Sequence, residues 1–393
     1  MKKIMLLTLI LILMSCSVQS QGIEVDPLKK SSYESESIKK YEDIDEKIVS
    51  ALQDFSIKTS AQLLDEDNHV YSPLSFYMAL SMVLPLAQNE TKEQLTNFLN
   101  PQDIPFDILQ FNNEYGNLSL ANSMWLQSDL DFNSDLMNQI SDDYFASIYS
   151  VDFRNSNTPK QMNQWINKMT NNFIKDVEVD ITDDMVISLI NAIYLKDSWS
   201  EPFEIRNTTQ EPFDKDKTAH YMNLESTMGY LKQDNYQLVS KELMNGSKVS
   251  FILPDEDLDS ILDEQTLSSI IKSKYESRLI RLSVPKFDVD GDYSLIELSQ
   301  QLGLTLPFDP SNSEIYPFED KTHVFISVIK QQARLVINED GIEAAAFTQV
   351  GMDTSSMPIN PITIKFDKPF LVVITSPQGI PLFISTVVNP ESH

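Results

Sequence analysis

A single cysteine, Cys16, among 393 residues excludes an internal disulfide framework, a thiolate zinc cluster and a cysteine-ligated iron–sulfur centre. Four histidines (His69, His220, His323 and His393) leave few ways to build a histidine metal site, so neither metal nor cofactor is expected. Positive charge is scarce as well: 30 Lys and Arg stand against 58 Asp and Glu, a formal net charge of −28. A field of that sign repels polyanions, which argues against nucleic acid or a heparin-like cofactor as partner. No G-x-G-x-x-G, Walker A, G-x-S-x-G or H-E-x-x-H motif occurs. His69 lies in an apolar, helix-flanking stretch and reads as packing. Asp288, Asp290 and Asp292 surround Gly291, but an EF-hand needs a glutamate where Ser299 stands, so a β-turn is the better reading. The chain is therefore not expected to be an enzyme. At 41% apolar and 22% charged residues, it can bury a substantial core.

Long hydrophobic runs are limited to the start. Lys2 and Lys3 precede an apolar stretch, Ile4 to Met14, which is too short for a permanent span and has the make-up of a secretory signal. Leu13-Met14-Ser15-Cys16 resembles a bacterial lipoprotein box, which implies cleavage after residue 15 and lipidation of Cys16. Residues 16–40 are rich in Ser, Glu and Lys and read as a flexible tether between lipid and domain. The expected location is the bacterial cell envelope, at the outer membrane or cell surface.

Residues 41–393 read as one α+β domain, because no Gly/Pro-rich linker divides them. Apolar spacing predicts helices at Ile44 to Leu64, after Pro73, and at Thr158 to Val177. Thr91 and Gln94 form a candidate capping box for a helix reaching Leu99. Strands are predicted at Leu118 to Leu126, Val186 to Leu195, Val249 to Leu253, Leu279 to Val284 and His323 to Ile329. A final pair, Ile362 to Ile374 and Leu382 to Val388, flanks a Ser-Pro-Gln-Gly turn. Val186 to Leu195 is a long apolar run with β-branched residues, the mark of a strand buried on both faces.

The segment from Glu339 to Asn360 breaks the usual rules. Alternate positions Ile342, Ala344, Ala346, Thr348, Val350, Met352 and Thr354 are apolar, small or β-branched, a half-buried strand pattern. The stretch then ends in Asp-Thr-Ser-Ser-Met-Pro-Ile-Asn-Pro, the composition of an exposed loop. The pattern fits an edge strand followed by a turn, and also a segment that is loop in one state and strand in another.

Seven motifs fall in the order and spacing of the serpin family: NHVYSPLS (Asn68–Ser75), NAIYLKDSWSEPF (Asn191–Phe203), FILPD (Phe251–Asp255), VPKF (Val284–Phe287), LGLTLPF (Leu302–Phe308), EDGIEAAAFT (Glu339–Thr348) and FDKPF (Phe366–Phe370). The chain resembles a bacterial serpin lipoprotein over roughly residues 45–390. The resemblance implies three β-sheets, about nine helices and an exposed reactive-centre loop. It also implies suicide-substrate inhibition: a serine or cysteine protease attacks the loop, and the cut loop inserts into the large sheet with the acyl-enzyme attached. By the same resemblance Glu339, Gly341, Ile342, Glu343, Ala344, Ala345, Ala346, Phe347 and Thr348 form the hinge. Trp199 and Lys286 belong to the breach where insertion begins. Ser72, Ser75 and Asn191 match the shutter cluster that lets the central strands part. The reactive bond falls between Ser355 and Ser356, with Met352 and Thr354 as alternatives.

Three departures bear on function. Gln331 stands where the family usually has a histidine; it can bridge to Asn191 but cannot titrate, so shutter opening is expected to be insensitive to pH near 6.5. Ile342 replaces the usual threonine, and Phe347 a small residue. No Arg or Lys lies between Arg334 and Lys365, which disfavours a trypsin-like target and points to elastase-like, subtilisin-like or papain-like proteases. The expected partner is a protease, the expected state a monomer. A non-inhibitory serpin-fold surface binding protein is the alternative.

Overall fold

A computed structural model of the chain describes residue 27 and residues 44–102, 104, 110–113, 115–174, 181–182, 184–343 and 360–390. The signal, Cys16 and most of the tether lie outside the described residues, as do Ala344, Ala345, Ala346, Phe347, Thr348, Met352, Thr354, Ser355 and Ser356.

The described helices are α1 (Glu46–Leu63), α2 (Pro73–Ser81), α3 (Asn89–Leu99), α4 (Ser134–Asp143), α5 (Thr158–Met169), α6 (Glu264–Ile271) and α7 (Leu295–Gln301). The strands are β1 (His69–Tyr71), β2 (Phe111–Asn112), β3 (Gly116–Gln127), β4 (Ala146–Val151), β5 (Ile187–Ser198), β6 (Thr209–Phe213), β7 (Lys217–Lys232), β8 (Tyr236–Glu242) and β9 (Lys248–Pro254). They continue with β10 (Glu276–Pro285), β11 (Phe287–Ser294), β12 (Ile329–Ile337), β13 (Gly341–Ile342), β14 (Ile362–Lys365), β15 (Phe370–Thr375) and β16 (Pro381–Val387).

The fold is of the expected mixed kind, with two differences in count among the described residues. Seven α-helices are present where about nine are implied by the resemblance. The strands form two hydrogen-bonded sheets instead of three. One runs β11-β12-β13-β5-β3-β2 with β4 beside β3; the other runs β1-β16-β15-β9-β8-β7-β10-β14 with β6 beside β7. The long β7 fuses what would be two sheets, because its first residues pair with β6 and its last four with β8.

Period-two alternation sorts side chains into layers. Phe370, Val372 and Ile374 of β15 enter the main core between the sheets, together with Leu118, Leu120 and Met124 of β3 and Leu189, Ile193 and Leu195 of β5. The other face of β15, Leu371 and Val373, packs with Ile270 and Ile271 of α6. Ala121 and Trp125 of β3, with Ile190 and Ala192 of β5, instead meet Met162, Trp165 and Ile166 of α5. Helix α2 lies wholly inside; Ser72 caps it by accepting from the Ser75 N–H at 3.1 Å, and Pro73 occupies its first turn.

Several local expectations are corrected. Thr91 and Gln94 do not cap a helix: α3 already begins at Asn89, Thr91 accepts from the Glu314 N–H, and Gln94 accepts from Thr305 and Leu306. Helix α5 stops at Met169, where Asn171 and Asn172 take left-handed backbone. The strand expected at His323 to Ile329 instead begins at Ile329 and runs to Ile337. The stretch from Ile362 to Ile374 is two strands broken at Phe366–Pro369. Asp288, Asp290 and Asp292 lie neither in a calcium loop nor in a turn. They stand on β11 against β12, with Asp288 accepting two bonds from Arg334.

Candidate functional site

Strands β5 and β12 run parallel at the middle of their sheet, yet they pair only where Leu189–Ala192 faces Ile329–Gln332. Beyond Ala192 and Gln332 no pairing joins them among the described residues. At the far end β13 enters between the two, with Ile342 opposite Ile337 on one side and Gly341 and Ile342 opposite Ser198 and Asp197 on the other. The wedge is made by a tight turn. The Asn338 side-chain oxygen accepts from the Asp340 and Gly341 amides at 2.9 and 3.2 Å, and the Asn338 N–H donates to the Gly341 carbonyl at 3.0 Å. Gly341 has φ +149°, and a Cβ there would meet the Asp197 carbonyl oxygen at 2.2 Å, so only glycine fits. Ile342 is 1% exposed and packs into the main core, so the larger side chain does find space.

Around this wedge Trp199, Lys286 and Glu339, expected at the breach and hinge, come together. Trp199 is fully buried; its indole N–H donates to the Asn338 carbonyl and its amide to the Asp340 carbonyl, both at 2.9 Å. The Phe203 amide donates to the Glu339 carbonyl at 3.0 Å. The Glu339 carboxylate accepts from the Thr208 hydroxyl at 2.7 Å and faces the Lys286 ammonium at 3.4 Å. Burial works against its ionisation, but Thr208, its own backbone N–H and Lys286 outweigh that and hold the carboxyl below the usual range.

At the paired end of β5 and β12 lie Ser72, Asn191 and Gln331, which the resemblance leads one to expect as a shutter. The Gln331 side chain makes two bonds to the Ser72 backbone, accepting from its N–H and donating to its carbonyl, each at 2.9 Å. Asn191 stands opposite Gln331 in register but donates its side-chain bond to Asn122 instead. The expected Gln331–Asn191 bridge is thus replaced by two separate contacts, one from each strand to an outside element. The Ser75 hydroxyl is buried with no hydrogen-bond partner among the described residues.

Two buried charges escaped the sequence reading. Asp197 is fully buried on β5 between Gly116 and Ile342; it accepts from the Asn245 amide at 3.1 Å, and its second oxygen has no partner among the described residues. Burial pushes this carboxyl up to about 7, against the opposing pull of Asn245. Lys241 on β8 is 4% exposed, with its ammonium 5.6 Å from the Trp199 ring centroid and 5.3 Å from that of Phe203. Burial brings it down to about 8. Strand parity was the available signal: Asp197 shares the inward set with Ile193 and Leu195, and Lys241 shares that of Val239. Among the described residues no group of three or more His, Cys, Asp or Glu could hold a metal ion.

These features define a mixed α/β protein whose seven-stranded sheet holds the start of a downstream segment between two central parallel strands. A family model described as serpin (serine protease inhibitor) matches residues 50–390, and the chain belongs to that family. An alpha-1-antitrypsin-like protein, GS55-MS, of Ictidomys tridecemlineatus is 28% identical over 88% of this chain and 90% of its own length. Alpha-1-antitrypsin 1-2 of Mus musculus is 28% identical over 87% of this chain and 89% of its own length. The native-state crystal structure of tengpin, a thermophilic serpin, superposes with a TM-score of 0.80 at 27% identity, covering 93% of this chain and all of that one. Thyroxine-binding globulin in complex with thyroxine has the same fold, with a TM-score of 0.75 at 22% identity over 88% of this chain and 100% of that one. Serpins are generally protease inhibitors that form covalent complexes with their targets, and not enzymes, although the family also holds non-inhibitory members.

Proposed function

We propose that this chain is a surface-tethered suicide-substrate inhibitor of serine proteases, and of papain-like cysteine proteases, with small or medium uncharged residues as bait. The observation that supports it best is the wedge: β13 stands between β5 and β12, and below it these two strands are not paired with each other until Ala192 and Gln332, among the described residues. The inward set from Ile342 to Thr354 contains neither charge nor proline. Ile342 is already buried, so insertion would bury the six that follow it, which contributes on the order of 10 kcal/mol or somewhat less, to which new ladder bonds add. About 15 residues at about 3.3 Å each would carry an attached protease roughly 50 Å. The intact fold is then a kinetic trap. Attack at Ser355, with scission before Ser356, leaves an acyl-enzyme that insertion distorts before water can release it. A lipid on Cys16 and the tether of residues 16–40 hold the inhibitor at the envelope surface.

The test is incubation with elastase, subtilisin, papain and trypsin, followed by denaturing electrophoresis. A covalent complex with one of the first three, none with trypsin, and a cut between Met352 and Met357 by mass spectrometry are expected. Cleavage by all of them without any complex would leave the non-inhibitory binding protein as the reading. Cys16→Ser should release the chain from the membrane fraction.

A further inference from the structure

The described part of the wedge ends at one residue. Ile342 is the last residue of β13, and Glu343 follows with φ +45°, in the left-handed region that glutamate adopts only at a cost. Its amide still donates to the Val336 carbonyl at 3.1 Å, so contact with β12 is kept up to this residue. Its side chain is half-buried, and the carboxyl oxygen Oε2 is enclosed with no hydrogen-bond partner among the described residues. Tyr194 and Lys196 face it from β5, and Arg334 from β12. Arg334 is already engaged, by Asp288 through bonds of 2.9 and 2.6 Å and by the Phe173 carbonyl at 3.2 Å. Backbone strain and an unsatisfied buried oxygen therefore meet at the residue where the wedge ends.

We propose that Glu343 is the stalling residue of the hinge: its left-handed backbone parks the segment after one inserted core side chain, and its passage to extended backbone is the first step of insertion. The inference rests on the inhibitory reading above. It assigns Glu343 a positioning role, because it acts on the path of the chain and touches no protease. The strain stored at φ +45° is released when the backbone becomes extended, which lowers the barrier to taking up the next residues.

The idea makes substitutions of opposite backbone preference act in opposite directions. Glycine accepts left-handed backbone freely, so Glu343→Gly relaxes the parked state and slows insertion, by about fivefold or more. A β-branched residue is a poor fit there, so Glu343→Val destabilises the parked state and speeds insertion by a similar factor. Glu343→Gln keeps the backbone preference and removes the charge, and should stay within about twofold of the parent. The rate is read on the full chain, uncleaved, as conversion to a heat-stable form at one fixed temperature below the melting temperature. The stoichiometry of elastase inhibition is the second readout.

Glycine and valine moving the rate the same way, or neither moving it, would overturn the proposal, as would a glutamine variant that shifts it as far as they do. A separate arm nicks the parent chain with thermolysin, a metalloprotease that forms no acyl-enzyme. If nicking brings no gain in melting temperature, insertion itself is absent, and both the inhibitory reading and this one fall. If it brings the gain while the variants do not differ, only the role of Glu343 falls.

Discussion

Gly341 presses against the backbone of Asp197 so closely that a Cβ would stand 2.2 Å from its carbonyl oxygen. On the other side of the same strand, a Cβ on Gly116 would come within 2.1 Å of the Lys196 carbonyl oxygen. The end of β5 is thus gripped by two glycines, and the wedge depends on one of them. Gly341→Ala should push β13 out of the sheet, exposing Ile342 and stripping Trp199 and Phe203 of their backbone partners. A cost of about 2–3 kcal/mol is expected from strain and lost burial. Calorimetry should show a lower melting temperature for the intact chain, and titration against elastase should show more cleaved inhibitor per complex formed. An unchanged stoichiometry would mean that the wedge is dispensable.

Asp197 gives stability a pH dependence with a sign opposite to that of a paired carboxylate. Its folded-state value, about 7, lies above the ordinary 3.8, so between those values the unfolded chain has already lost a proton that the folded chain retains. Stability from this group is therefore greatest at acid pH and falls as pH rises toward 7. Asp197→Asn should change the melting temperature little near pH 4 and raise it increasingly toward pH 8, by a few degrees there. With Asp197 replaced, inhibition rates should be flat near pH 6.5, since Gln331 at the shutter does not titrate. A slope that persists in the variant would locate the titrating group elsewhere.

Gln331→Ala removes both bonds to Ser72 and leaves its buried N–H unpaired, while the Ser72 carbonyl keeps the Phe76 amide at 3.1 Å. A loss of about 1–3 kcal/mol follows from the one unsatisfied group. Since β5 and β12 are hydrogen-bonded only around this point, the variant should also convert faster to the heat-stable form. Destabilisation without faster conversion would make Gln331 a packing residue alone.

Ala346→Arg tests insertion beyond the wedge. Residue 346 belongs to the inward set, where a guanidinium would have to be buried without a partner. The variant should be cut by elastase at the parent's rate while forming little or no covalent complex. A complex yield equal to the parent's would refute insertion of the alternating strand.

The parts of the fold legible in the sequence are those in which one local rule acts alone. The four, four and three spacing of Ile44, Ile48, Leu52 and Phe55 marks α1, and Pro73 marks the start of α2. The apolar run into Leu195 marks β5. Where a distant partner decides, the reading slips. The strand β12 contains Gln331, Gln332 and Arg334, which look like solvent-facing residues. Gln331 is buried because the Ser72 backbone satisfies it, and Arg334 is held by Asp288 across the ladder. The same cross-strand pairing turns the Asp288–Asp292 stretch from an apparent turn into β11. At the site, the glycine and the acidic residue of the hinge could be read from the motif. Strand parity could have placed Asp197 and Lys241 on the inward face, but not the cost of burying them, which is set by how tightly the surrounding strands close over them.

The position of the C-terminal strands decides what becomes of a severed molecule. β15 is flanked by β9 and β16, β16 is flanked by β1 and β15, and β14 is clasped to β10 with Lys365 bonded to Glu211 at 2.7 Å. A break between Ser355 and Ser356 therefore detaches nothing: the short C-terminal piece is the inner lining of the molecule's own middle. A spent inhibitor would leave a gel-filtration column as a single particle and come apart only in denaturant. Any protein or receptor that distinguishes spent from fresh copies would have to read a changed surface, since no fragment is shed.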